Sequence, residues 1–93
     1  MSEIYHRIIQ DGEYNQVRLV VNEFRGVEYL HLRKYYMNFD EEWAPSSEGI
    51  SIPLDIENSR ELFIGLTEIL SLAESKEIII QNFKDLLTEI YEK

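Results

Sequence analysis

Between Glu23 and Asn38 the chain reads EFRGVEYLHLRKYYMN, and those sixteen residues gather Arg25, Arg33, Lys34, His31 and four aromatic rings, Phe24, Tyr29, Tyr35 and Tyr36. Guanidinium and ammonium groups pair with phosphate oxygens. Flat rings stack on unpaired bases, each for about 1–3 kcal/mol. The two together are the chemistry of single-stranded nucleic-acid binding. The rest of the chain opposes that chemistry, because the net charge is −9. Residues 1–52 hold five Arg/Lys against nine Asp/Glu, and residues 53–93 hold four against nine. Phosphate neutralisation drives non-specific binding, so contact with nucleic acid here must be local to one surface.

Other reactive groups are sparse. The two histidines, His6 and His31, fall on separate segments without metal-ligand spacing. Asp40-Glu41-Glu42 lacks the pattern of a calcium loop and reads as a solvated run. Cysteine is absent, which removes disulfides and thiolate ligands and suits an intracellular protein. Neither a phosphate-cradling glycine loop nor a sequence context for Ser46 or Ser47 as nucleophile is present. The expectation is a binding protein with no enzymatic activity, no cofactor and no metal.

Placing these residues requires elements. IYHRII (Ile4–Ile9) is rich in β-branched and aromatic residues and precedes the turn dipeptide Asp11-Gly12. QVRLVVNEF (Gln16–Phe24) and VEYLHLRKYY (Val27–Tyr36) flank Arg25-Gly26, and GISI (Gly49–Ile52) is a short fourth strand. The acidic stretch 37–48, with Pro45, reads as a loop or an irregular edge, with Trp43 as its anchor rather than a further stacking ring. After Pro53 the period changes to three and four: Leu62, Phe63, Leu66, Ile69, Leu70 and Ala73 form one apolar stripe, and Ile79, Phe83, Leu86, Leu87 and Ile90 another. Asn58 with Glu61 suits a capping box for a helix over about 57–74, and Ser75 a cap for a second over about 76–91. The stripes also fit one bent helix. The expected fold is α+β: a four-stranded antiparallel meander, then one long or two C-terminal helices, in a single domain of 93 residues. A chain this short gains stability from a dimer interface.

Alternation along the strands separates two faces. Leu19, Val21, Leu30 and Leu32 form an apolar face suited to cover by a helix. Arg18, Phe24, Tyr29, His31, Arg33 and Tyr35 fall on the other, while Lys34 lies opposite Arg33. Tyr and Arg are also ordinary residues on half-exposed sheets.

Several motifs in order resemble the single-stranded-DNA-binding domain of the transcriptional coactivator positive cofactor 4. They are Val20-Val21-Asn22-Glu23-Phe24-Arg25-Gly26, then Leu30-His31-Leu32-Arg33-Lys34-Tyr35-Tyr36-Met37-Asn38, then Pro45 and Gly49-Ile50-Ser51-Ile52. The resemblance spans about Arg18 to Ile52. It implies four antiparallel strands and a helix, a dimer formed largely through the helices, and curved sheets that hold single-stranded DNA. It also implies that Phe24 and Tyr36 take the positions of base-stacking rings and that Arg25 and Arg33 contact phosphate. Asn22, Val27, Ser46, Ser47 and Glu48 depart from the family pattern, which is basic or glycine at those positions. Weaker, salt-sensitive binding is the consequence expected, with Glu48 repelling phosphate.

The functional expectation is therefore a homodimeric single-stranded-DNA-binding protein of transcription, replication or repair, with RNA as a further ligand. Arg18, Phe24, Arg25, Tyr29, Arg33 and Tyr36 are its expected contact residues. The alternative is a protein-interaction module whose acidic helical C-terminus docks an RNA polymerase or replication protein, with weak or no DNA binding. The opening residues lack a secretory run, and no apolar stretch approaches a membrane span. A cytoplasmic protein is expected, nucleoid-associated in a bacterium or nuclear in a eukaryote.

Overall fold

Strand-forming alternation produces strands where it is strongest. The computed structural model describes residues 2–92, in the order β1 (Ser2–Asp11), β2 (Asn15–Phe24), β3 (Val27–Met37), β4 (Trp43–Pro53), α1 (Ile56–Ala73) and α2 (Lys76–Tyr91). The strands form one sheet in the order β1-β2-β3-β4, every neighbouring pair antiparallel. The expected meander and the two-helix version of the C-terminal half are both observed.

The β2–β3 hairpin sets the register for everything that follows. Arg25 and Gly26 both take positive φ, 52° and 79°, the signature of a two-residue turn whose twist matches the strands it joins. Pairing then runs without interruption from Phe24↔Val27 to Asn15↔Tyr36.

The outer strands are less regular. Register shifts between Glu3 and Tyr5 and between Ile8 and Gln10 leave Ile4 and Ile9 as extra residues on β1. Of the loop or irregular edge expected over 37–48, residues 43–48 take the second form, as the first half of the edge strand β4. Pro45 is tolerated there because β4 is an edge strand, where a missing N–H costs the ladder little. Between Pro45↔Tyr35 and Gly49↔Arg33, residues 46–48 together oppose Lys34. Ser46 repairs that gap: its hydroxyl donates to the Lys34 carbonyl at 2.8 Å and accepts from the Glu48 N–H at 3.1 Å. The remaining β3–β4 loop closes on Asn38, whose Oδ1 accepts from the Asp40 and Glu42 amides at 2.9 and 3.0 Å.

Asp55, not Asn58, caps α1. Its Oδ1 accepts the Asn58 N–H at 2.7 Å, because Asn58 already lies inside the first helical turn. The Asn58 amide turns back instead to the Pro53 carbonyl at 2.8 Å. Ser75 caps α2 as expected, accepting from the Ile78 N–H at 3.3 Å. The Phe63 and Phe83 rings meet at 6.4 Å between centroids, joining α1 to α2. The chain forms two compact units, one through Asn58 and one from Ser59 onward.

Burial within the sheet runs against the expectation from hydropathy. Among the described residues the most buried are Val20 at 3%, Gln16 at 4% and His31 at 7% exposure, and all three belong to the basic, aromatic face. Leu32 and Ile50, on the apolar face, retain 41% and 67%. Arg18 lies across the Tyr35 ring, and long side chains of this kind cover the neighbours beneath them.

Candidate nucleic-acid interface

Register arranges the polar face in rows across the sheet. Asp11, Gln16, Tyr35 and Pro45 form one row, and Ile8, Arg18, Arg33 and Gly49 the next. His6, Val20, His31 and Ser51 make the third, and Glu3, Asn22, Tyr29 and Pro53 follow.

The second row is the unusual one. Arg18 and Arg33 are direct cross-strand partners, and like charges placed opposite each other destabilise a sheet. Neither has an ion pair to a carboxylate among the described residues. Each is held instead by neutral groups. Arg18 donates through Nε to Gln16 Oε1 at 2.9 Å and lies with Cζ 4.2 Å from the centre of the Tyr35 ring. Arg33 donates through Nη1 to the Ser46 carbonyl at 3.1 Å and through Nη2 to Ser51 Oγ at 3.4 Å. Two full positive charges are thus oriented without being neutralised.

Gly49 permits the approach of β4 to Arg33. A Cβ at Gly49 would stand 2.8 Å from the Leu32 carbonyl oxygen and 3.0 Å from Arg33 Cα, closer than side-chain carbons come to backbone.

Beneath Arg33, Ser51 Oγ also hydrogen-bonds His31 Nδ1. The hydroxyl accepts from Arg33 and keeps a second lone pair and its own proton, so it pairs with the ring whether the proton sits on Nδ1 or on Nε2. Nε2 is buried and has no partner among the described residues. Desolvation by burial, and then the positive charge of Arg33, lower the His31 pKa below its ordinary 6.5. A neutral ring is the form this site holds. Tyr29 lies beside it, ring centres 6.4 Å apart. An open groove of about 480 Å3 runs along this face, lined among others by His31, Arg33, Tyr35, Pro45 and Ser47.

At the β2–β3 turn the Arg25 guanidinium covers one side of the exposed Phe24 ring, 5.0 Å from its centre. This ring and charge are presented together at the end of the hairpin. Glu48 pairs with Lys34 at 3.0 Å, and Lys34 lies on the opposite face from Arg33. Its carboxylate therefore neutralises the lysine rather than the arginine pair.

Of the expected contact residues, Arg18, Phe24, Tyr29 and Arg33 share this face, with Arg25 at its hairpin end. Tyr36 does not join them. Uninterrupted alternation pairs it with Asn15 and Ala44, on the side of Leu32 and Lys34. Sequence reasoning placed Tyr35 on the face but gave it no role, and it overlooked Gln16. The signal for Gln16 was its spacing, two residues before Arg18 on one strand.

An antiparallel meander with an arginine-and-ring face, continued by two helices, defines the class of this protein. The profile of the transcriptional coactivator p15 (PC4) family matches residues 13–57. A bacteriophage T5 homologue of the eukaryotic transcription coactivator PC4, implicated in recombination-dependent DNA replication, is similar at 32% identity and a TM-score of 0.77, over 92% of this chain and 97% of that one. A PC4 homologue from Burkholderia pseudomallei is similar in two crystal forms. The orthorhombic form is 24% identical with a TM-score of 0.56, over 81% of this chain and 93% of that one. The tetragonal form is 25% identical with a TM-score of 0.53, over 77% and 94%. No curated protein sequence matches. The chain belongs to the transcriptional coactivator p15 (PC4) family, a family of DNA-binding proteins. Among the described residues no helix is long and apolar enough to cross a membrane. No cluster of three or more His, Asp or Glu suited to a metal is found among them.

Proposed function

We propose that this protein binds single-stranded DNA on the arginine-and-ring face of its sheet and acts as a homodimer. The directly opposed Arg18–Arg33 pair carries the reading. An anion lying between two unneutralised guanidinium groups removes the repulsion that the empty sheet must bear. Phosphate is the anion that fits, because Tyr29 and Phe24 lie on the hairpin side of the pair and Tyr35 on its other side, rings for bases to either side. Duplex is a poorer ligand, since its bases are already stacked and its grooves call for a helix or ribbon rather than a sheet face.

The acidic remainder repels polyanions everywhere else, which confines binding to this face. Exposed Leu32 and Ile50 on the reverse side of the sheet, and Leu62, Phe63 and Leu66 along α1, supply apolar area for a second copy. A role in replication or recombination rests on the likeness to the phage T5 homologue.

Fluorescence anisotropy with a labelled thymidine oligomer of about twenty nucleotides, enough to cross several stacking sites, tests the reading against duplex of the same length. Tighter binding of the single strand, weakened by salt and by Phe24→Ala, is expected. A folded protein that binds neither ligand at low salt overturns the reading and turns attention to the exposed stripe of α2.

A further inference from the structure

Gln16 is a polar side chain that the binding face buries almost completely, at 4% exposure, and contact with DNA does not explain it. Its two ends are both engaged. Nε2 donates to Asp11 Oδ1 at 2.7 Å, and Oε1 accepts from Arg18 Nε at 2.9 Å. Asp11 and Tyr35 are its cross-strand partners on either side. The group forms a row across three strands with Arg18 folded over it.

The chemistry of the row is directional. A carboxylate accepts hydrogen bonds and donates none. Asp11 therefore fixes the NH2 end of the Gln16 amide toward itself and leaves the carbonyl end for Arg18. Arg18 then gives its Nε–H to Gln16 and one flat side to the Tyr35 ring, 4.2 Å away. The terminal edge of the guanidinium is the part these two contacts leave unused, and it is the edge that grips phosphate in a fork. Without the amide, repulsion from Arg33 directly across the strand pair swings a flexible side chain away from the face.

Resting on the single-strand reading above, we propose that Gln16, oriented by Asp11, is a positioning residue that presents Arg18 to the DNA backbone. It touches no ligand. Its effect on binding passes through Arg18 alone, and that gives it a signature that general loosening of the sheet does not share.

The test is a double-mutant cycle on single-stranded DNA binding, with Gln16→Ala and Arg18→Ala singly and together. Gln16→Met serves as a second variant that keeps the buried volume and removes the hydrogen bond. Both Gln16 variants are expected to weaken binding about tenfold in the presence of Arg18, the scale of one charge-assisted contact. In the Arg18→Ala background they are expected to weaken it by less than about twofold, the residue of imperfect additivity. Equal losses in both backgrounds, or full affinity in Gln16→Met, overturn the proposal while the single-strand reading stands. A folded wild-type protein with no affinity for the single strand overturns the reading, and this role with it.

Discussion

Replacing Arg33 with glutamine removes one of the two opposed charges. The glutamine side chain ends two bonds short of the nitrogen that reaches the Ser46 carbonyl at 3.1 Å, so that hydrogen bond goes together with the positive charge facing Arg18. Single-stranded DNA binding loses about 0.7 of salt slope for each phosphate neutralised. Arg18, Arg25 and Arg33 together therefore give log K against log salt a slope of roughly −2, and Arg33→Gln brings it to about −1.4. A hydrogen bond to a charged group contributes about 1.5–3 kcal/mol, so affinity at low salt falls about 10- to 150-fold. Stability moves the other way. Opposed like charges cost a sheet about 0.2–1 kcal/mol, and in a domain of this size that relief raises Tm by about 1–8 °C. Anisotropy titrations at four salt concentrations and a thermal melt read both quantities. An unchanged slope refutes the phosphate role, and a falling Tm shows that Arg33 is there to hold the sheet.

Two further outcomes follow from the same face. Arg25→Asn places at φ 52° a residue that adopts the left-handed region more readily, so unfolding becomes harder by about 1 kcal/mol; DNA binding weakens because the charge beside Phe24 is gone, and a melt with an anisotropy titration checks both. His31, whose folded pKa lies below its ordinary 6.5, binds protons more readily unfolded than folded. The stability it contributes is complete above that ordinary value and is lost as pH falls through the folded one. Urea unfolding between about pH 5 and 8 is expected to show this loss, and His31→Gln to flatten it; a parallel decline in the variant places the cause elsewhere.

The sheet was legible in the sequence where alternation was strict. Val17–Phe24 and Val27–Tyr36 announced both their pairing and their two faces, and Gly26 announced the turn between them. β4 was hidden because its first half has no alternation to read: Pro45 and the three residues opposite Lys34 break the period, and the Ser46 side chain replaces ladder bonds that a strand ordinarily makes with backbone. Tyr36 was assigned by motif position, and one step of alternation from Tyr35 carries it to the reverse side. Gln16 and Asp11 are five residues apart along the chain, and only the β1–β2 register makes them a pair. Burial was the least legible property. Arg18 lies across the Tyr35 ring, and cover of that kind is something hydropathy does not encode.

The two borders of the sheet share a property with consequences for how molecules add to one another. β1 carries extra residues at Ile4 and Ile9, and β4 carries a proline and a stretch where three residues stand against one. Each border is therefore a broken template, with amides and carbonyls out of step for any incoming strand. Sideways growth into ribbons or fibrils is discouraged even at high local concentrations. Crowded copies are left to meet through side chains, and strand-by-strand growth has no regular edge to build on.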